Sequence, residues 1–415
     1  MYIVLINTVL GLNFRFKILI FNALIIFFAC ENITAEYRFT IDFWGDTINF
    51  TTKNEISTKT PFPYNEASII EIQQKLASAG ALEIVAEIRK VIEKKELCNW
   101  LVYQLIRKTS NQLIGKNTDY LGYTVTKWFL LQQLGFDPLL IVSKDRVLLY
   151  VNSNDVVYNI PYRIIENKQF ICLNYHDYGY TSKDEKEEMI FRAPNLNAAN
   201  FTFKITNLPA LAERQYVDRE LTFEYGNQKE HINIKLNTSL KKYFTNYPVT
   251  DYLNQFNIPL SNETKSSLIG ALKDRVKRMS VSKGVEYIMY FTRYAFLFEK
   301  DTDFFGREKR LSPEETLLYN KSDCEDRSAL FYALIKEIYN LPMIVVTYPD
   351  HVTVAVKLDK PIGMPIMYEN DLYTLCEPTP QSVDLKLGEQ LGTLQSKSFE
   401  IAFAYHPEKR DRKST

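Results

Sequence analysis

The sequence predicts an α+β fold with more than one compact unit, and three observations carry that reading. Apolar residues recur at helical spacing in some segments and form short β-branched runs bounded by turn residues in others. One succession of elements (helix, proline, apolar strand, charged turn, second strand) occurs twice, in residues 119–151 and 321–378. The length, 415 residues, is enough for two or three cores. The expected layout is a signal peptide over 1–35, an N-terminal α+β domain over 36–180, a β-rich connecting region over 181–250, and a catalytic domain over 251–415. In that last domain a helix packs on an antiparallel sheet.

Taken in order, the N-terminus carries a compartment signal. Arg15 and Lys17 precede an uncharged apolar run from Ile18 to Ala29, and a small residue follows at Ala35. The run is short for a membrane span, so cleavage after Ala35 and export to a periplasmic or extracellular space are expected, with no stable transmembrane span afterwards. Cys30 after Ala29 offers a lipoprotein site as the lesser alternative. Lysine plus arginine equals aspartate plus glutamate at 50 each, which removes any bulk attraction to nucleic acid. The four histidines have no metal-ligand spacing and no acidic loop has EF-hand spacing, so no metal or other cofactor is expected. Cys172 and Cys376 sit inside apolar strand patterns and read as buried thiols.

Arg38–Phe43 and Ile48–Thr52 alternate about Gly45–Asp46 as a hairpin. Pro61–Pro63 opens a helical region in which 66–96 is amphipathic and divided at Gly80, and Trp100–Leu113 is a further helix. In 119–151 an offset of 204 sets Asp119 against Asp323, Pro138 against Pro342 and Cys172 against Cys376, which favours a duplicated fold. Thr181–Glu188 is a charged linker. Strands are expected at Ala199–Ile205, Leu221–Tyr225 and His231–Leu236, the last two joined by a turn at Gly226–Asn227. Helices follow at 266–278 and 283–299, and the second carries an aromatic stripe read as core. A loop over 301–320 leads into the chemistry. Phe399–Tyr405 closes the chain as a strand before a frayed basic tail.

The candidate chemistry lies in 321–378. Cys324 stands at the start of a predicted helix, with Asp323 as N-cap and Asn340 and Pro342 as its end. His351 heads the second of two β-branched runs joined by Pro349–Asp350, and Glu377 ends the next strand. A helix followed by an antiparallel meander brings the three together. A helix start favours a thiolate, whereas the neighbouring Glu325 and Asp326 oppose it, so a cationic partner is needed. An imidazolium at His351 supplies that charge, and Glu377 orients the ring. The backbone N–H of Cys324 suits an oxyanion hole, with Arg293 or Tyr319 as candidates for a second donor.

Cys324-x-Asp326, the helix containing Ala329 and Leu330, then Pro342 and a strand leading to His351, resemble the core of the transglutaminase-like superfamily. The resemblance covers about the last third of the chain. It implies a papain-like α+β fold, Cys324 as nucleophile, His351 as base, and Glu377 in place of the usual aspartate. Glu377 is one methylene longer than that aspartate, and Glu369 and Asp371 are alternatives for the role. Ser322 and Asp323 stand where the family often has a glycine, and no tryptophan follows His351. These departures suggest a distant branch of a family with many bacterial members. In the first copy Tyr120 replaces the nucleophile, Val147 or Arg146 the histidine, and Leu173 the acid, which leaves it packing, groove-shaping or partner-binding roles.

Two functions follow. One is a cysteine-nucleophile enzyme acting on amide bonds of a protein or peptide substrate through a thioester, as peptidase, amidase or transamidase. The other is a binding or scaffold protein that keeps the fold with little catalysis.

Overall fold

The computed structural model describes residues 36–59, 65–143, 146–178, 189–193, 197–319 and 321–407. The expected signal peptide with Cys30, the prolines at 61–63, the charged linker and the basic tail lie outside them. Over the described residues the chain is mixed α+β, with helices and antiparallel sheets.

The chain begins with a hairpin, β1 (Tyr37–Phe43) and β2 (Asp46–Thr52). Its turn residues Trp44 and Gly45 both have positive φ, the requirement of a tight hairpin turn that follows the strand twist. Helices α1 (Glu66–Ala79) and α2 (Ala81–Lys95) meet at Gly80, whose φ of 97° ends the first and starts the second. Helices α3 (Asn99–Ile114) and α4 (Tyr120–Gln133) follow.

A five-stranded sheet comes next: β3 (Pro138–Ser143), β4 (Arg146–Asn152), β6 (Tyr162–Ile165), β7 (Lys168–Cys172) and β8 (Met189–Arg192), in the order β6-β7-β4-β3-β8. The short β5 (Val157–Tyr158) instead pairs with β11 (Val249–Thr250) and ties the two halves together. A hairpin, β9 (Tyr216–Tyr225) and β10 (Gln228–Asn237), turns at Gly226 and Asn227, both at positive φ as the dipeptide predicts. Helices α5 (Ser239–Phe244), α6 (Tyr252–Phe256), α7 (Asn262–Val276) and α8 (Val281–Tyr294) lead to the second half.

The expected loop over 301–320 contains two short helices, α9 (Asp301–Phe304) and α10 (Pro313–Leu318). Ser312 and Glu315 form a capping box with proline at the first turn, a start signal that overrides the loop reading. Around them β12 (Leu297–Phe298) pairs in parallel with β13 (Lys321–Ser322). Then come α11 (Cys324–Ile338) and a second five-stranded sheet: β14 (Met343–Tyr348), β15 (His351–Val356), β16 (Ile366–Tyr368), β17 (Asp371–Cys376) and β18 (Glu400–Tyr405). A short α12 (Gly392–Gln395) precedes β18.

The second sheet has the order β16-β17-β15-β14-β18, which repeats the first position for position. The register agrees as well. Tyr150 opposes Cys172 in the first sheet and Val354 opposes Cys376 in the second, each displaced by the same 204 residues. The helix before each sheet starts at a capping aspartate, Asp119 or Asp323. The expected strand at Ala199–Ile205 is absent as a ladder. That segment is extended, buries Phe201, Phe203 and Ile205 alternately, and makes a single bridge at Ala199. Its apolar alternation fills a core, and beyond that bridge it makes isolated backbone hydrogen bonds, such as Phe201 N–H to the Asn152 carbonyl at 2.9 Å, but no continuous ladder. One contiguous cluster of buried apolar side chains runs through both halves. Among the described residues no helix is long and apolar enough to cross a membrane.

A buried lysine marks the first half. Lys127 on α4 is 1% exposed, with its ammonium 4.2 Å from the Tyr123 ring centroid. Burial, aided by Arg107, lowers its pKa to about 7, while Asp177 opposes. The unfolded chain therefore holds more protons between about pH 7 and the ordinary lysine pKa, so the lysine's penalty is full below pH 7 and fades as pH rises through that window. Lys127→Met is expected to raise stability by about 2 kcal/mol near pH 6.5, with the gain lost near pH 10. Thermal unfolding at the two pH values checks this.

Candidate active site

Cys324 occupies the first turn of α11 because Asp323 caps it. The Asp323 carboxylate accepts from the Asp326 N–H, and the Asp326 carboxylate accepts from the Asp323 N–H. His351 is the first residue of β15, which packs against α11. Ser328 donates to the Val352 carbonyl at 3.0 Å, and the Val352 backbone hydrogen-bonds the Cys324 sulfur. The thiol thus lies beside the strand end that carries the histidine.

Glu377 follows β17 and is buried. Its Oε2 is 2.7 Å from His351 Nε2, and its Oε1 accepts from the Thr379 N–H at 3.0 Å. The carboxylate is fixed at both oxygens, and Nδ1 is the ring nitrogen left for proton transfer. The alternative acids lie elsewhere: Asp371 pairs with Lys357 at 2.7 Å, and Glu369 is 3.5 Å from His406. Burial, the largest influence on His351, lowers its pKa. Glu377, Glu325 and Asp350 outweigh it, and the net shift is upward.

The thiol meets different surroundings. Cys324 Sγ donates to Glu325 Oε2 at 3.0 Å. Burial, then the charges of Glu325 and Asp323, push the thiol well above its ordinary range. These influences favour the neutral thiol over the thiolate. Glu325 acts on both groups, since one negative charge disfavours the thiolate and favours the imidazolium.

More carboxylates crowd the start of α11. Oxygens of Asp301, Asp323 and Asp326 lie within 4.8 Å of one another, close enough for a cation. Each is engaged by backbone amides: Asp301 accepts from Lys309 N–H at 2.8 Å and Asp326 from Leu311 N–H at 2.7 Å. Burial raises the Asp301 pKa to about 7, and burial with neighbouring acids raises Asp323 to about 11. Burial and mutual repulsion thus raise all three carboxyls, and backbone amides answer their oxygens.

The residues offered as a second oxyanion donor do other work. Arg293 is buried and donates to the Glu377 backbone carbonyl at 3.0 Å and 2.5 Å, and to Asp384 and Leu385. It positions the strand end that bears Glu377. Tyr319 packs edge-on against Phe304 and Phe305 under the Lys309 ammonium. Sequence reasoning missed two further residues, Tyr252 and its neighbour Arg310. Tyr252 on α6 is raised to about 12 by burial, with Glu325 and Cys324 adding to the shift. The Arg310 guanidinium sits 4.0 Å from the Tyr252 ring centroid and opposes it. Neither has a motif of its own, so only the fold reveals them.

In the first half the equivalent positions form a closed polar cluster. The Tyr120 hydroxyl donates to Asp177 Oδ2 at 2.7 Å and accepts from Asn174 Nδ2 at 2.8 Å. The Val147 N–H donates to the Tyr178 hydroxyl, and Leu173 is buried. Asn174 and Asp177 were not singled out in the sequence. No family model matches the chain, and no curated protein or solved structure matches it either.

Proposed function

We propose that the protein is an exported enzyme of transglutaminase-like type that cleaves or transfers acyl groups at amide bonds of a protein or peptide. The His351–Glu377 hydrogen bond of 2.7 Å, at a strand end next to a helix-start cysteine, carries this reading. Cys324 sulfur attacks the amide carbonyl as its proton passes to His351. The imidazolium then gives that proton to the departing amine, leaving a thioester on Cys324. Water, deprotonated by His351, hydrolyses the thioester, or an amine takes its place. The Cys324 N–H, free at the first turn of α11, is the natural donor to the oxyanion. On this reading the first half is a degenerate copy that keeps the sheet and has lost the nucleophile, base and acid.

One observation favours the second function, a binding or scaffold protein. The Cys324 thiol is bonded to a carboxylate and pushed upward, not paired as a thiolate with an imidazolium. Processing of a peptide library by wild type and Cys324→Ala separates the two. Turnover that disappears in the variant supports the enzyme; turnover unchanged by it, or absent from both, supports the scaffold.

A further inference from the structure

The first half holds a second candidate site, far in sequence from Cys324. A cleft of about 530 Å³ opens between β1, α3, the start of α4 and α5. That volume is in the range of small-ligand pockets. Its charge is one-sided: Arg107, Lys108, Lys116 and Lys242 line it, against the single acid Asp42.

The arrangement of these groups is costly unless an anion shares it. Lys108 donates to the Asp42 backbone carbonyl and faces Lys242 across the cleft mouth. Burial and then the Lys242 ammonium lower the Lys108 pKa to about 8, the sign of two like charges held together. Lys116 already has a partner in Asp177 at 2.5 Å.

A second, independent feature points the same way. Gln104 lines the cleft, is 5% exposed, and its Nε2 has no hydrogen-bond partner among the described residues. Arg107 donates to Gln104 Oε1 at 3.0 Å, which fixes the amide so that its N–H₂ is the unanswered end. A buried donor left unpaired costs about 1–3 kcal/mol, and an acceptor in the cleft removes that cost.

We infer that this cleft binds a small multivalent anion of the phosphate class, held by Lys108, Lys242, Arg107 and the Gln104 amide. Ammonium, guanidinium and amide donors lining one cleft match an oxyanion with several acceptor oxygens. The concave form and the buried donor favour a small ligand over a nucleic acid or membrane, which engages exposed basic faces. Tyr123 and Tyr243 at the wall leave room for an organic portion.

The test is titration of the full chain with inorganic pyrophosphate at constant ionic strength, read by calorimetry and thermal shift, with citrate and chloride as comparison anions. Saturable one-to-one binding with a raised melting temperature is expected, with pyrophosphate ahead of citrate. Lys242 is exposed, so Lys242→Gln leaves folding intact. It should weaken pyrophosphate roughly tenfold, while the ligand-free variant melts no lower than wild type because a repulsion is relieved. Gln104→Leu should also weaken binding. Citrate binding as tightly as pyrophosphate overturns the phosphate assignment. Equal affinity in wild type and Lys242→Gln, or no saturable binding at all, overturns the site.

Discussion

Glu325→Gln is expected to alkylate at Cys324 roughly ten- to a hundredfold faster than wild type at pH 8. In wild type the thiol donates to the Glu325 carboxylate at 3.0 Å, and that charge is the second cause, after burial, of its raised pKa. A charge that close opposes a thiolate by several kcal/mol in an effective medium between water and protein interior, and solvent reaching this partly buried pair reduces the effect to one or two pKa units. Glutamine removes the charge and supplies an N–H that donates to sulfur. The same change takes away one of the influences raising His351, so both pKa values fall, and the ion pair gains by the margin in which the thiol, hydrogen-bonded directly to Glu325, falls further. Iodoacetamide rates at each cysteine, read by mass spectrometry from pH 6 to 10, make the measurement. Cys376, which is fully buried and also pushed upward, is an internal control expected to stay inert in both proteins. An unchanged profile at Cys324 would mean that Glu325 is not the thiol's partner in solution. If the proposed chemistry holds, the wild-type protein must move Glu325 aside when substrate binds.

The parts of this picture legible in the sequence are those encoded by local pattern. Asp323 just ahead of the apolar helical run marked the capped start of α11, and Pro349–Asp350 between two β-branched runs placed His351 at a strand head. The offset of 204 between the two halves was a sparse match in residue identity. In the sheets it becomes a shared strand order and register, because backbone pairing constrains where strands lie more tightly than it constrains which apolar residue fills them. Partnerships between distant side chains were not legible. Like-charge repulsion from Glu325 was predictable from adjacency, yet its direct hydrogen bond to the thiol depends on a rotamer. Arg293 looked like a free cation near the cysteine until packing placed it under the Glu377 carbonyl. The segment at 199–205 misled for a related reason. Period-two burial needs only an extended chain over a core, and a ladder also needs a neighbouring strand with open amides.

Arg327→Met is expected to cost about 3–5 kcal/mol, the largest stability loss of any change argued here. Arg327 is fully buried on the first turn of α11. Its guanidinium donates to the carbonyls of Thr292 at 3.0 Å, Arg293 at 2.7 Å, Phe296 at 3.1 Å and Ser322 at 3.5 Å. The first three belong to the end of α8 and the residues just past it, where unpaired carbonyls and the helix dipole both call for a cation. Methionine fills much of the volume but leaves these acceptors buried without donors. Burial alone lowers the arginine's pKa, to about 10, with Asp326, Asp323 and Cys324 opposing, so the side chain stays charged at neutral pH. Arg327→Lys keeps the charge and loses the planar fork that reaches several carbonyls at once, and is expected to recover no more than about half of the loss. Urea unfolding followed by tryptophan fluorescence and far-UV circular dichroism measures both variants. A drop below about 1 kcal/mol for Arg327→Met would show that water replaces the guanidinium. The consequence reaches the chemistry, because Ser322 and Cys324 belong to the same short stretch. An arginine that ties α8 to the segment before the nucleophile sets where that nucleophile starts its helix. Cys324 alkylation in Arg327→Lys should therefore shift together with stability, whereas Lys127→Met, in the other half of the molecule, should change stability and leave Cys324 alone.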